Sequence, residues 1–381
     1  MIFLFAFCIL SILRFSSGFK LTVLHVNDVH SHFEEVSLNT GTCKEDMKRR
    51  GECYGGVARM ATYIRQTRAS DPDTLLLNGG DFYQGTMWYS VFKYQPVVEF
   101  SNLLNYTAGS LGNHDWDDGG EGLQPFVSGV NFPVLAANLG STLVRKVARS
   151  TVVRVRGRLV GIIGFITPDT ATISNPGLNN TFLDIVPSVR QEAKSLKGLG
   201  VEIIIAVGHA GYTLDKELAR RVAELDLVVG GHSHTFLYTG PPPSVERAQG
   251  EYPTYVVQDS GKVVPVVQAY CYTKYLGHLQ LQFDSQGELL RPVAGVGVSS
   301  ARPVLLDRSI QPDPAVERKL EKYQRVLRPY RQKVGSSTTP LIKLDNQENL
   351  LGNLVTDSML AVWEDVQVDP LSSGLRESTL T

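Results

Sequence analysis

Leu111-Gly112-Asn113-His114-Asp115-Trp116-Asp117 puts an amide, an imidazole and two carboxylates within seven residues, directly after an apolar run. Alone, such a stretch reads as an ordinary polar turn. It gains weight from four clusters of the same kind: Asp28-Val29-His30, Gly79-Gly80-Asp81, Gly208-His209 and Gly230-Gly231-His232-Ser233-His234. Each follows a short apolar run, at 20–27, 74–77, 201–207 and 227–229. Further strands are expected at 130–138 and on either side of a hairpin turn at Arg156-Gly157-Arg158. Helical periodicity is expected over 56–68, 95–104, 188–199 and 213–224, so strands and helices alternate. That pattern is a layered α/β fold with its polar clusters at strand C-termini, where sites gather in such folds.

Asp28, His30, Asp81, Asn113, His209, His232 and His234 make a candidate set of metal ligands. Carboxylate, imidazole and amide oxygen suit zinc, manganese or similar divalent ions, and the lack of a thiolate argues against a structural zinc site. One aspartate shared between two ligand sets would hold two ions close together, an arrangement that clamps a phosphoryl oxygen and acidifies water. Singly, each residue has a bland reading: His209 as a core histidine, Asp81 as a helix cap. Their recurrence at successive strand ends makes metal binding the expectation.

Composition sets bounds. The chain has 381 residues, 43% hydrophobic and 20% charged, which is globular rather than disordered and long enough for two domains. A formal net charge of -1 gives no reason to expect nucleic-acid binding or adhesion to an acidic membrane. Residues 1–18 read as a signal peptide with a short apolar core, and no later run is long enough to span a bilayer. The reading is therefore of a secreted protein, with a lipid anchor only in a longer form. In that setting Cys43 and Cys53 are close enough in sequence to form a disulfide, a zinc knuckle being the alternative; Cys271 is left over. Asn105 and Asn179 head glycosylation sequons.

The sequence resembles the 5′-nucleotidase and apyrase family of calcineurin-like metallophosphoesterases. The resemblance is carried by Asp28-Val29-His30, Gly79-Gly80-Asp81, Gly112-Asn113-His114-Asp115, Gly208-His209-Ala210, Gly230-Gly231-His232-Ser233-His234, and the run 264–277. It implies a four-layer α/β/β/α metallophosphoesterase sandwich over 19–300. A linker or interdomain helix over 301–335 and an incomplete C-terminal nucleotidase domain over 336–381 would follow. It implies two divalent metal ions, zinc first, with manganese, magnesium, calcium or cobalt as alternatives. Asp28, His30, Asp81 and His234 would hold one; Asp81, Asn113, His209 and His232 would hold the other. His114 would face the transferred phosphoryl group, and Asp117 would orient His114. The substrate would be an extracellular nucleotide, AMP in a 5′-nucleotidase or ATP and ADP in an apyrase.

The match thins toward the C-terminus. Leu351 to Asp357 resembles the start of the family's second domain, but the glycine-rich loop and paired aromatic rings that grip the base do not follow. Arg376 in the tail is not promoted to a phosphate ligand. The expectation is weak or unselective phosphatase activity, with a non-catalytic secreted binding or decoy protein as the rival.

Overall fold

A computed structural model of the chain describes residues 18–141, 144, 146–290, 298–332, 335–342, 344 and 347–365. The chain divides into two units, Met1–Leu327 and Arg328–Thr381. The first holds two mixed six-stranded sheets.

One sheet runs, in spatial order, Val298–Leu305, Tyr275–Phe283, Phe19–Val26, Leu75–Asn78, Ala108–Ser110 and Val134–Leu135. Its last four strands are parallel, and the first two are antiparallel additions at the edge. The other runs Thr254–Val257, Val263–Val267, Leu227–Val229, Ile203–His209, Arg158–Ile166 and Ser150–Val155. Here four parallel strands lie between antiparallel edges. The expected hairpin at Arg156-Gly157-Arg158 joins the last two.

Parallel strands buried on both faces read as continuous apolar runs, and Ile203-Ile204-Ile205-Ala206-Val207 is one. Side chains alternate across a strand, so this run serves two cores. Ile203, Ile205 and Val207 meet Leu21, Val23, Leu75 and Leu77 between the sheets. Ile204 and Ala206 face outward, with Val189 and Ala193 of the helix Ile185–Gly198 and Leu218 and Ala219 of the helix Tyr212–Arg221. On the far side Leu24, Val26 and Leu76 pack with the helices Val57–Ser70, Tyr94–Leu104 and Gly119–Gly129. The result is the four-layer sandwich that the resemblance implies. Ile205 is fully buried between the sheets. Ile205→Ala is expected to lower unfolding free energy by about 2–5 kcal/mol in a denaturant titration. A loss below about 1 kcal/mol would contradict this core.

The segment read as a linker or interdomain helix supplies most of the edge strand Val298–Leu305 and the helix Pro314–Leu327. Val316, Leu320 and Leu327 of that helix are buried in the outer core, and the Tyr323 hydroxyl donates to Glu99 Oε2 at 2.7 Å. This helix lies in the first unit. The strand expected over 130–138 is only Val134–Leu135, which pairs with Gly109 and Ser110 on one side and makes a single bridge, Leu135 to Ala148, on the other. Cys43 and Cys53 form a disulfide, and Cys271 is free and buried. Both sequon asparagines, Asn105 and Asn179, are exposed. The signal-peptide reading falls almost wholly on 1–17, outside the described residues. Among the described residues no helix is long and apolar enough to cross a membrane. In the second unit a helix spans Leu350–Asp365, with Leu354, Val355, Met359 and Leu360 exposed. Arg376 lies outside the described residues.

Candidate active site

Five parallel strands end at one place. The strand Phe19–Val26 leads into Asp28 and His30, Leu75–Asn78 into Asp81, and Ala108–Ser110 into Asn113 and His114. From the other sheet, Ile203–His209 ends on His209 itself, and Leu227–Val229 leads into His232 and His234. Asp28, His30, Asp81, His232 and His234 all adopt positive φ, between 47° and 78°. Non-glycine residues rarely do so, and such strain clusters where side chains must be aimed at a site. Gly80 lies where these turns cross: its φ is +90°, and a Cβ there would sit 2.7 Å from Gly112 N and 2.9 Å from His209 Nδ1. Only glycine fits.

The seven candidate ligands converge. His209 Nε2 lies 2.9 Å from Asp81 Oδ2 and 3.7 Å from Asp28 Oδ1. His30 Nε2 is 3.5 Å from Asp81 Oδ2, 3.8 Å from Asp28 Oδ1 and 3.1 Å from His234 Nε2. His234 Nε2 approaches Asp28 Oδ1 at 3.2 Å. His232 Nδ1 stands 2.9 Å from Asn113 Oδ1. Asp81 Oδ2 thus reaches towards both His30 and His209, and Asp28 Oδ1 does the same. Two groups of donor atoms close enough to hold one ion each are Asp28, His30, His234 and Asp28, Asp81, His209.

The donor set fits divalent cations on two observations. His209 Nε2 is buried and has no hydrogen-bond partner, although Asp81 is within reach. His209 Nδ1 is spent on the Gly79 carbonyl at 2.7 Å, which fixes the ring with Nε2 facing the carboxylates. The carboxylates themselves are almost wholly buried, Asp28 at 0% and Asp81 at 2% exposure. Burial alone would raise their pKa values, but the neighbouring His209 holds both below the usual carboxylate range. In return Asp81 and Asp28 overcome the burial of His209 and push it up to about 10. A buried cluster of this kind needs positive charge, and a cation supplies it.

His114 lines the cavity that these residues form, and Asp117 holds its ring. Asp117 Oδ2 accepts from His114 Nδ1 at 2.8 Å, and that bond is the main cause of the raised pKa of His114. The His114 backbone N–H donates to Asp81 Oδ1 at 2.9 Å, tying the pair to the carboxylate cluster. The cavity, about 480 Å³, is lined by His30, Asp81, Asn113, His114, His232 and His234 among others.

Sequence reading missed several neighbours. Gln84 Nε2 donates to Asp117 Oδ2 at 3.0 Å. His32 and Tyr272 line the cavity with stacked rings 4.2 Å apart. Asp115, left without a role from sequence, accepts from the backbone amides of Phe82, Tyr83 and Gly112 at 2.8–3.0 Å. It holds the turn after Asp81 against the turn before His114.

The calcineurin-like phosphoesterase model matches residues 21–236, which contain all seven candidate ligands. The chain belongs to this family. It is 42% identical to a snake venom 5′-nucleotidase of Naja atra over 90% of its own length and 65% of that protein's. It is 41% identical to a 5′-nucleotidase of Bos taurus, over 90% of this chain and 60% of the other. The chain thus spans less than two thirds of these relatives. The crystal structure of a 5′-nucleotidase precursor from Thermus thermophilus superposes with a TM-score of 0.79 at 35% identity, covering 91% of this chain and 68% of that one.

Proposed function

We propose that this phosphoesterase removes the terminal phosphate from extracellular nucleotides as a metal-dependent 5′-nucleotidase, converting AMP to adenosine. The single observation that carries this is His114, which lines the same cavity as the Asp/His cluster and is hydrogen-bonded to Asp117 at 2.8 Å. The likeness to 5′-nucleotidases supports the substrate class, and the likeness to a venom protein supports an extracellular setting.

Asp28, His30, Asp81, Asn113, His209, His232 and His234 would hold two divalent ions, zinc first. Bound there, the ions would supply Lewis acidity toward phosphoryl oxygen and lower the pKa of water. The chain's residues do the remaining work. Gly79 and Tyr83 carbonyls orient His209 and His30 through their Nδ1 atoms, at 2.7 and 3.2 Å. Asp117 occupies His114 Nδ1, which leaves Nε2 for the substrate. The raised proton affinity of His114 makes that nitrogen a donor to the oxygen on which charge develops, a contact stronger in the transition state than before it.

Gln84 steadies Asp117 from the other side. Gln84→Ala is expected to lower turnover between about twofold and tenfold, the range of one modest hydrogen bond, with cation content unchanged. Steady-state kinetics on AMP with parallel metal analysis checks this. Phosphate release from AMP, ADP and ATP compared side by side tests the substrate reading: AMP is expected to be preferred, and preference for ATP and ADP would indicate an apyrase instead.

A further inference from the structure

Behind the two histidines of Gly230-Gly231-His232-Ser233-His234 lies a polar network that the reaction described above does not use. Gln268 follows the strand Val263–Val267 and is fully buried. Its amide grips both ends of the dihistidine turn. Nε2 donates to the Gly231 carbonyl at 3.1 Å, just before His232, and Oε1 accepts from Thr235 N at 3.0 Å, just after His234. The Ser233 hydroxyl, between the histidines, donates to the same Oε1 at 3.3 Å. Nε2 also donates to Asp215 Oδ2 at 2.6 Å, from the helix Tyr212–Arg221. Asp215 is fully buried, and its Oδ1 has no hydrogen-bond partner.

The sequence around the turn fits this arrangement. A Cβ on Gly230 would collide with the Asp215 carboxylate, and one on Gly231 would sit 2.6 Å from the Gly79 carbonyl. Small residues let the turn lie directly on the Asp215–Gln268 pair. His232 and His234 both hold positive φ, at 78° and 47°. Such a turn keeps its shape only if its surroundings over-determine it. A side-chain amide is suited to this, since it donates and accepts at once.

We infer that Gln268, anchored by Asp215, is a positioning residue that sets the spacing of His232 and His234 for cation binding. Neither side chain touches the ligand nitrogens; both act through the backbone of the turn. Residues supporting a metal's ligands are worth roughly tenfold to a hundredfold in affinity. The inference rests on the proposed metal centre, and its test separates the two.

The test is titration of Mn²⁺ into chelator-stripped full-length chain by calorimetry, with far-UV circular dichroism of the apo form. Gln268→Met keeps the volume of Gln268 and removes its hydrogen bonds. It is expected to weaken cation binding at least tenfold while the apo form stays folded. Asp215→Asn retains an acceptor for Gln268 Nε2 and is expected to bind Mn²⁺ within about threefold of wild type. Asp215→Leu, lacking the acceptor, is expected to fall with Gln268→Met. A merely structural role would change apo stability and leave affinity alone. Wild-type affinity in folded Gln268→Met overturns the inference but not the metal centre. If Gln268→Met does not fold, Asp215→Leu against Asp215→Asn decides: equal affinities overturn it. No Mn²⁺ binding by wild type overturns both.

Discussion

Asp81→Ala is expected to abolish cation-dependent phosphate release and to weaken divalent-cation binding by more than about 100-fold, beyond what loss of a merely supporting residue causes. Asp81 Oδ2 lies 2.9 Å from His209 and 3.5 Å from His30, so one carboxylate serves both sides of the cluster. Its other oxygen accepts the His114 backbone N–H at 2.9 Å, so the substitution also loosens the turn bearing the His114–Asp117 pair. Among the described residues, removing this carboxylate leaves Asp28, at 3.7 Å, as the acidic side chain within ion-pair distance of His209. Metal analysis after gel filtration, with turnover on AMP, reads the outcome. Retained cation-dependent turnover would remove Asp81 from the assigned ligand set.

His114→Ala is expected to act differently. It should lower kcat by about 10²–10³-fold, the usual loss when one donor to a developing oxyanion is removed. Cation binding should stay as in wild type, because the bond to Asp81 comes from the backbone N–H of residue 114 and survives the substitution. KM should change little if the contact strengthens only in the transition state. Asp117→Asn should fall between wild type and His114→Ala, since an amide still orients the ring but gives less support to its proton. Loss of bound metal in His114→Ala would instead make His114 part of the ion-holding set.

The convergence of the seven candidate ligands was legible because metal chemistry restricts residue type, and because strand ends announce themselves by an apolar run followed by glycine. The same runs pointed to a layered α/β fold, and the resemblance to metallophosphoesterases implied the four-layer sandwich. What remained hidden was carried by single residues with many ordinary uses. Gln84 is three residues from Asp81 but bonds to Asp117, and nothing local marks that contact. Asp215 and Gln268 lie 53 positions apart in sequence and meet at 2.6 Å. Asp115 was left without a role because its partners are backbone amides, which sequence does not distinguish. The helix Pro314–Leu327 was legible as a helix but not as part of the core, because its buried face is narrow: Val316, Leu320 and Leu327 sit among charged residues. Only the core it covers identifies it as part of the first unit.

The central claim is that the strand-end carboxylates and imidazoles form a cation-dependent phosphohydrolase centre. Its most direct test is phosphate release from AMP and from p-nitrophenyl phosphate by the full chain, measured before chelation, after EDTA and after return of Zn²⁺ or Mn²⁺. Hydrolysis should fall to background with the chelator and recover with the cation. Hydrolysis that ignores EDTA, or none at all from protein carrying two bound ions, would contradict the account.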